Sequence, residues 1–142
     1  MGRYSEMKLL AWNLNHRAVR RRIPSWIAKA INEKAPDVLV LTEYVEGKDH
    51  DSFLATLKAN GLCKFSCTPQ PGRENQLLIA SSDTQRWYEL VVIHPSVPSN
   101  ILEVSLESPG VTVLGFRMPA FEGKGSRALK RLKHRHQEGR QL

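Results

Sequence analysis

The spacing of apolar residues changes period several times along the chain, and each change marks an element. Residues 7 to 14 form a short, largely apolar run that ends in asparagine, which predicts a buried strand. Ile23, Ile27 and Ile31 then recur four apart, with Trp26 and Ala30 beside them. That spacing predicts an amphipathic helix over 24 to 34, with Pro24 suited to its first turn. Pro36-Asp37 closes the helix, because a residue before proline disfavours the helical region, and Val38 to Leu41 give a second strand. A strand, helix, strand unit of this length predicts parallel strands joined by a right-handed crossover. Asp51-Ser52 can cap a second helix, whose apolar face is Phe53, Leu54 and Leu57 and whose stop is Asn60-Gly61. Leu62 to Cys67 predicts a strand, Pro69 to Gly72 a turn, and 75 to 81, 87 to 93, 101 to 106 and 111 to 117 further strands. No internal repeat or flexible linker interrupts this order.

Composition adds limits. A chain of 142 residues with 41% hydrophobic and 25% charged residues suits one globular domain. No apolar run approaches the roughly 20 residues of a membrane span, and the first residues have no apolar signal core. A cytoplasmic location without membrane association is therefore expected. Cys63 and Cys67 lie four apart in a predicted strand, which separates them by roughly 13 Å, too far for a disulfide. They read as reduced thiols.

The net charge of +7 is local. Residues 124 to 142 hold seven bases and one acid, which leaves 14 bases and 13 acids elsewhere, a net of only +1. That division predicts a main domain over 1–122 and a basic tail over 123–142. The tail lacks interleaved aromatics, so it favours non-specific phosphate contact over base reading. A smaller cluster, Arg17, Arg20, Arg21 and Arg22, follows the first strand, where a phosphate backbone could approach.

The candidate chemistry lies at the predicted strand ends. Glu43 follows an apolar strand at or beyond its carboxyl end, where open sheets bind ligands, and a carboxylate there can begin a magnesium site. Its plainer reading is a loop acid at a strand end. Asn13 and Asn15 share a face if their strand persists, and a carboxamide can orient a phosphoryl oxygen or face a metal. They can equally be turn-forming asparagines. His16 could contact phosphate or simply lie at the surface. Tyr44 and Asp49-His50-Asp51 carry acid, base and ligand atoms, although an acid-rich helix start is the commoner explanation.

Lys8-Leu9-Leu10-Ala11-Trp12-Asn13-Leu14-Asn15, Pro36 to Glu43, Asn75 to Ser82 and Gly115-Phe116-Arg117-Met118-Pro119 together resemble the front half of the endonuclease/exonuclease/phosphatase superfamily. The resemblance implies an α/β (α+β) fold, a partial α/β sandwich with a mixed sheet, with strands 7 to 14, 37 to 42, 75 to 81 and 111 to 117 in its central layers. It implies metal-dependent phosphoester hydrolysis, with Mg²⁺ or Mn²⁺ held by Glu43 and Asn13, these two as the catalytic residues, and Asn15, His16 and Arg117 toward phosphate. Asn13, Asn15 and Glu43 should then converge at one end of adjacent strands.

The substrate implied is a phosphate ester, nucleic acid included. Arg117 departs from the family, which tends to an aromatic or histidine before the proline, and Gln76 stands where many members have glycine, a change that could crowd the site. The family's later Asp-x-Asn motif and Asp-His pair have no counterpart after Pro119. A truncated chain, weakly active or inactive alone, is thus expected, completed by a second copy or another chain. The alternative is a non-catalytic fragment that binds nucleic acid through the basic tail.

Overall fold

In a computed structural model, the described residues are 6–14, 22–70, 75–82, 87–88, 100–107 and 110–117. Two stretches of continuous apolar sequence decide the architecture: strands β2 (Val38–Tyr44) and β4 (Gln76–Ser82) are buried along almost their whole length. A strand buried residue after residue needs cover on both faces of its sheet. One face is covered by helices and the other by a second sheet.

The first sheet has the order β1-β2-β4-β3, with β1 at Leu9–Asn13 and β3 at Leu62–Cys67. It is mixed, as expected: β1 runs parallel to β2, while β4 is antiparallel to both β2 and β3. Leu39, Leu41, Leu78 and Ala80 face helices α1 (Ser25–Lys34) and α2 (His50–Ala59), and they pack there with Ile27, Ile31, Phe53 and Leu57. The alternate residues Val38, Val40, Leu77 and Ile79 face the second sheet, made of β5 (Trp87–Tyr88), β6 (Ile101–Leu106) and β7 (Val111–Phe116) in that order. Leu102, Val104, Leu106 and Val113 fill that side. Gly115 lets β7 approach closely, since a β-carbon there would lie 3.4 Å from Val40 Cγ1.

Several sequence expectations need correction. Within the run 7 to 14, Leu9–Asn13 is an edge strand rather than a buried one: Leu10 and Trp12 are only partly buried against the helices and Leu9 is 48% exposed, while Leu14, just past the strand, is fully buried there. Trp26 is also outside the core, 49% exposed, with its ring 5.8 Å from that of Trp12. Strand 111 to 117 belongs to the second sheet, which is present and covers the first, so it lies in the central layers as expected. Only residues 87–88 of the expected strand 87 to 93 are described.

Helix α1 ends as Pro36 requires, but through Ala35 in the left-handed region at φ 44°, with its N–H bonded to the carbonyls of Ile31 and Asn32. Helix α2 begins at His50, not after Asp51-Ser52. Asp49, at its N-cap position, makes no side-chain cap and instead accepts from Arg22 Nε and Nη2 and from the Ile23 N–H, at 3.1 to 3.2 Å. The hydrogen bond from Arg22 holds the Asp49 carboxyl below its ordinary range. Asp37 ties the sheet's start together: its carboxylate accepts from the Lys8 N–H at 2.7 Å and its carbonyl from the Ser82 N–H at 2.9 Å. Among the described residues no helix is long and apolar enough to cross a membrane.

Cys63 and Cys67 are free and half-buried. Burial pushes the Cys67 thiol up to about 12, so it stays protonated at neutral pH.

Three outcomes follow from this packing. Ile79→Ala should cost about 2–5 kcal/mol in urea unfolding, because it opens a cavity between the sheets; a loss under about 1 kcal/mol would mean they do not pack there. Ala35→Gly should gain about 1 kcal/mol, since glycine removes the steric penalty of the left-handed cap. In alkylation at pH near 8 followed by peptide mass spectrometry, Cys67 should be modified much later than Cys63.

Candidate functional site

The space between the two sheets is apolar along its length and turns polar at one end. On each strand that faces it, the inward row of alternate residues changes character at that end. Leu106, Val104 and Leu102 of β6 are followed on the same face by Asn100, and Val113 and Gly115 of β7 by Arg117. Ile79 and Leu77 of β4 are followed by Asn75, and Val38 and Val40 of β2 by Thr42. Asn13 pairs with Thr42 in the parallel ladder, and the Leu14 N–H bonds the Thr42 carbonyl at 2.9 Å, so the carboxyl ends of β1 and β2 lie side by side.

Glu43 joins this group through a break in the strand. Strict alternation would send it to the helix side after Leu39 and Leu41. Instead the β2–β4 register slips between Leu41 and Tyr44: Leu41 pairs with Leu78 and Tyr44 with Gln76, so β2 carries one extra residue. This is a β-bulge, and Glu43 takes the left-handed conformation at φ 59°. A residue with a β-carbon pays about 1–3 kcal/mol for such backbone, and it persists only where the surroundings enforce it. Tyr44 takes up the helix-side row, fully buried, with its hydroxyl 2.7 Å from His50 Nδ1. Burial raises the phenol pKa well above its ordinary value.

The Glu43 carboxylate meets Arg117 and Asn75. Arg117 Nε donates to Glu43 Oε1 at 2.7 Å, and Asn75 Nδ2 donates to Oε2. Both acid and base are mostly buried, 21% and 16% exposed at their side chains. Arg117 is fixed from a third direction by Asn100, which accepts from Nη1 at 3.0 Å and whose carbonyl accepts from the Arg117 N–H at 2.8 Å. Asn100 itself is 5% exposed. A mostly buried ion pair tied further to Asn75 and Asn100 is held in place, and it sets a planar cation beside a carboxylate at the sheet end.

As arranged, these residues do not fit a divalent cation. Magnesium needs free carboxylate oxygens and several further oxygen ligands, whereas both oxygens of Glu43 already accept from donors and a guanidinium stands against one of them. Among the described residues no group of three or more His, Cys, Asp or Glu side chains gathers to hold a metal.

Asn13 pairs with Thr42, the residue before Glu43, on the adjacent strand, while Asn15 and His16 lie outside the described residues. Gln76 does not crowd the site. Its side chain turns to the helix side, where its amide oxygen accepts from the Glu46 N–H at 3.0 Å and its amide nitrogen donates to Glu46, Cys67 and the Thr68 carbonyl. Asp49 and His50 are occupied by Arg22 and Tyr44. Asn100 was not singled out from the sequence, though its place in the row Asn100, Leu102, Val104, Leu106 marks it as inward-facing.

No family profile matches the sequence, and neither does any curated protein. Solved structures do match. TDP2 from Caenorhabditis elegans superposes with a TM-score of 0.61 at 18% identity, over 80% of this chain and 35% of that one. An AP endonuclease from Archaeoglobus fulgidus gives 0.61 at 19% identity, over 94% and 52%. An endonuclease/exonuclease/phosphatase from Beutenbergia cavernae gives 0.54 at 23% identity, over 89% and 41%. The chain thus spans about a third to a half of the structures it resembles. Identities this low speak to fold, and at that level the resemblance seen in the sequence holds: the chain carries part of the endonuclease/exonuclease/phosphatase fold.

Proposed function

We propose that this chain is part of a phosphoester hydrolase whose site is the polar end of the inter-sheet space. The observation that carries the reading is the strained bulge that turns Glu43 out of its strand's alternation and toward Arg117 and Asn75. Backbone strain held in place by buried polar contacts is characteristic of functional sites. Asn13 and Glu43 are proposed to act on the reacting phosphoryl group, and Asn15, His16 and Arg117 to bind its oxygens. The solved structures that share the fold include an AP endonuclease, which agrees with a phosphate-ester substrate, nucleic acid among the candidates.

A Mg²⁺ or Mn²⁺ ion, implied by the sequence resemblance, would supply charge neutralisation at Glu43, but only if the carboxylate left Arg117. With that pair closed, and with no Asp-x-Asn motif or Asp-His pair after Pro119, hydrolysis by this chain alone is proposed to be slight. General acid–base assistance is worth about 10²- to 10⁴-fold, and nothing among the described residues supplies it at the site.

The test is cleavage of plasmid DNA, RNA and bis(p-nitrophenyl) phosphate with Mg²⁺ or Mn²⁺ present, using Glu43→Ala to expose contaminating nuclease. Little or no turnover above that control is expected. Robust turnover abolished by Glu43→Ala would show a complete site, and His16 would be the first base to mutate.

A further inference from the structure

We infer that Arg117 stands in for the divalent cation at Glu43, so that the polar end of the inter-sheet space binds a phosphoryl oxygen without metal. The inference deepens the phosphoester reading and rests on it. Its basis is the way the guanidinium is held. Nε is bound to the Glu43 carboxylate, Nη1 to the Asn100 side chain, and the Arg117 N–H to the Asn100 carbonyl, which leaves Nη2 without a partner among the described residues.

The two side-chain contacts come from elements of different sheets, Glu43 on β2 and Asn100 just before β6, so the cation cannot swing away without breaking both in a mostly buried place. Guanidinium is the side chain whose donors match phosphate oxygens, and it keeps its charge at any accessible pH. A fixed positive charge on the carboxylate also opposes entry of a second cation there. The same pair therefore provides the positive charge for phosphate and excludes the metal.

The residues nearest Arg117 set what the site can accept. Glu43 offsets much of the guanidinium charge, so binding of a free phosphate should be modest, and removing the carboxylate's charge while keeping its hydrogen bond should strengthen it. A metal-centred site gives the opposite result, because there Glu43→Gln removes the ligand.

Arginine Nε–H resonances in nitrogen-edited NMR give a readout specific to Arg117, assigned by its loss in Arg117→Gln and insensitive to phosphate held by the basic tail. In excess EDTA, inorganic phosphate should shift that resonance saturably in the intact chain, and Glu43→Gln should bind phosphate as tightly or more tightly. Mn²⁺, followed by paramagnetic broadening of neighbouring resonances, should bind Arg117→Gln at least about tenfold more tightly than the intact chain. Circular dichroism and thermal unfolding check that each variant is folded, and Arg117→Met, which removes the charge but keeps an unbranched stem, replaces Arg117→Gln if that variant unfolds.

Phosphate binding that appears only with Mn²⁺, or that is lost in a folded Glu43→Gln, would overturn the role of Arg117 and leave the phosphoester site standing with a metal. An Arg117 resonance that phosphate shifts under neither condition would overturn both readings.

Discussion

Strands β2 and β4 have no face left for water, and the rest of the structure answers that constraint. Val38 to Leu41 and Leu77 to Ala80 are buried on alternate sides, so helices must cover one face of their sheet and a second sheet the other. At about 25 cal/mol per Å² of apolar area, the gain from this double cover is large enough to dominate the smaller preferences around it. Helix propensity does not place α1 and α2. The row Leu39, Leu41, Leu78, Ala80 does, and Ile27, Ile31, Phe53 and Leu57 are the residues that meet it.

The same constraint explains why the site forms where it does. Inward rows of apolar residues must end somewhere, and they end together because the strands are in register. Past Leu77, Leu102 and Gly115 the next inward positions are Asn75, Asn100 and Arg117, polar groups that are partly shielded from water by the layers on either side. Shielding strengthens every hydrogen bond among them and raises the cost of leaving one unmade. The Glu43 bulge belongs to this balance: Arg117, brought inward by β7, needs an anion, and the only nearby acid on β2 lies on the wrong side of a regular strand. One extra residue resolves the conflict. It lets Tyr44 fill the helix-side row while Glu43 reverses toward Arg117.

This division also marks how far the sequence could be read. The parallel pairing of β1 with β2, the stop of α2 at Asn60, and the strands at 62 to 67 and 101 to 106 were legible because hydrophobic period and turn residues report local geometry directly. The edge position of β1 was not. Leu9, Leu10, Ala11 and Trp12 read as a buried run, yet burial depends on what lies beyond the edge of a sheet, and no local pattern encodes that. The bulge left a trace in the spacing 39, 41, 44, where helix-side residues step by two and then by three. Glu43 was legible as a strand-end carboxylate, and its partner was not, because Arg117 is 74 residues away and comes from the other sheet.

Arg117 is the point at which fold and chemistry separate. The neighbouring structures share the arrangement of strands with this chain, and arrangement alone does not fix what stands beside Glu43. What decides its chemistry is the side chain on the facing strand. A carboxylate beside water or small neutral groups attracts a divalent ion, whereas the same carboxylate beside a guanidinium fixed by Asn100 already has a cation as its partner. The cation is then part of the chain: it cannot be removed by a chelator, it does not require a protonation state to be set, and its position is decided by the packing of β6 and β7 against β2 and β4. In that arrangement the packing of the inter-sheet core and the geometry of the site are coupled, because any shift of β7 that loosens Val113 and Gly115 also moves the charge that Glu43 is bent to meet.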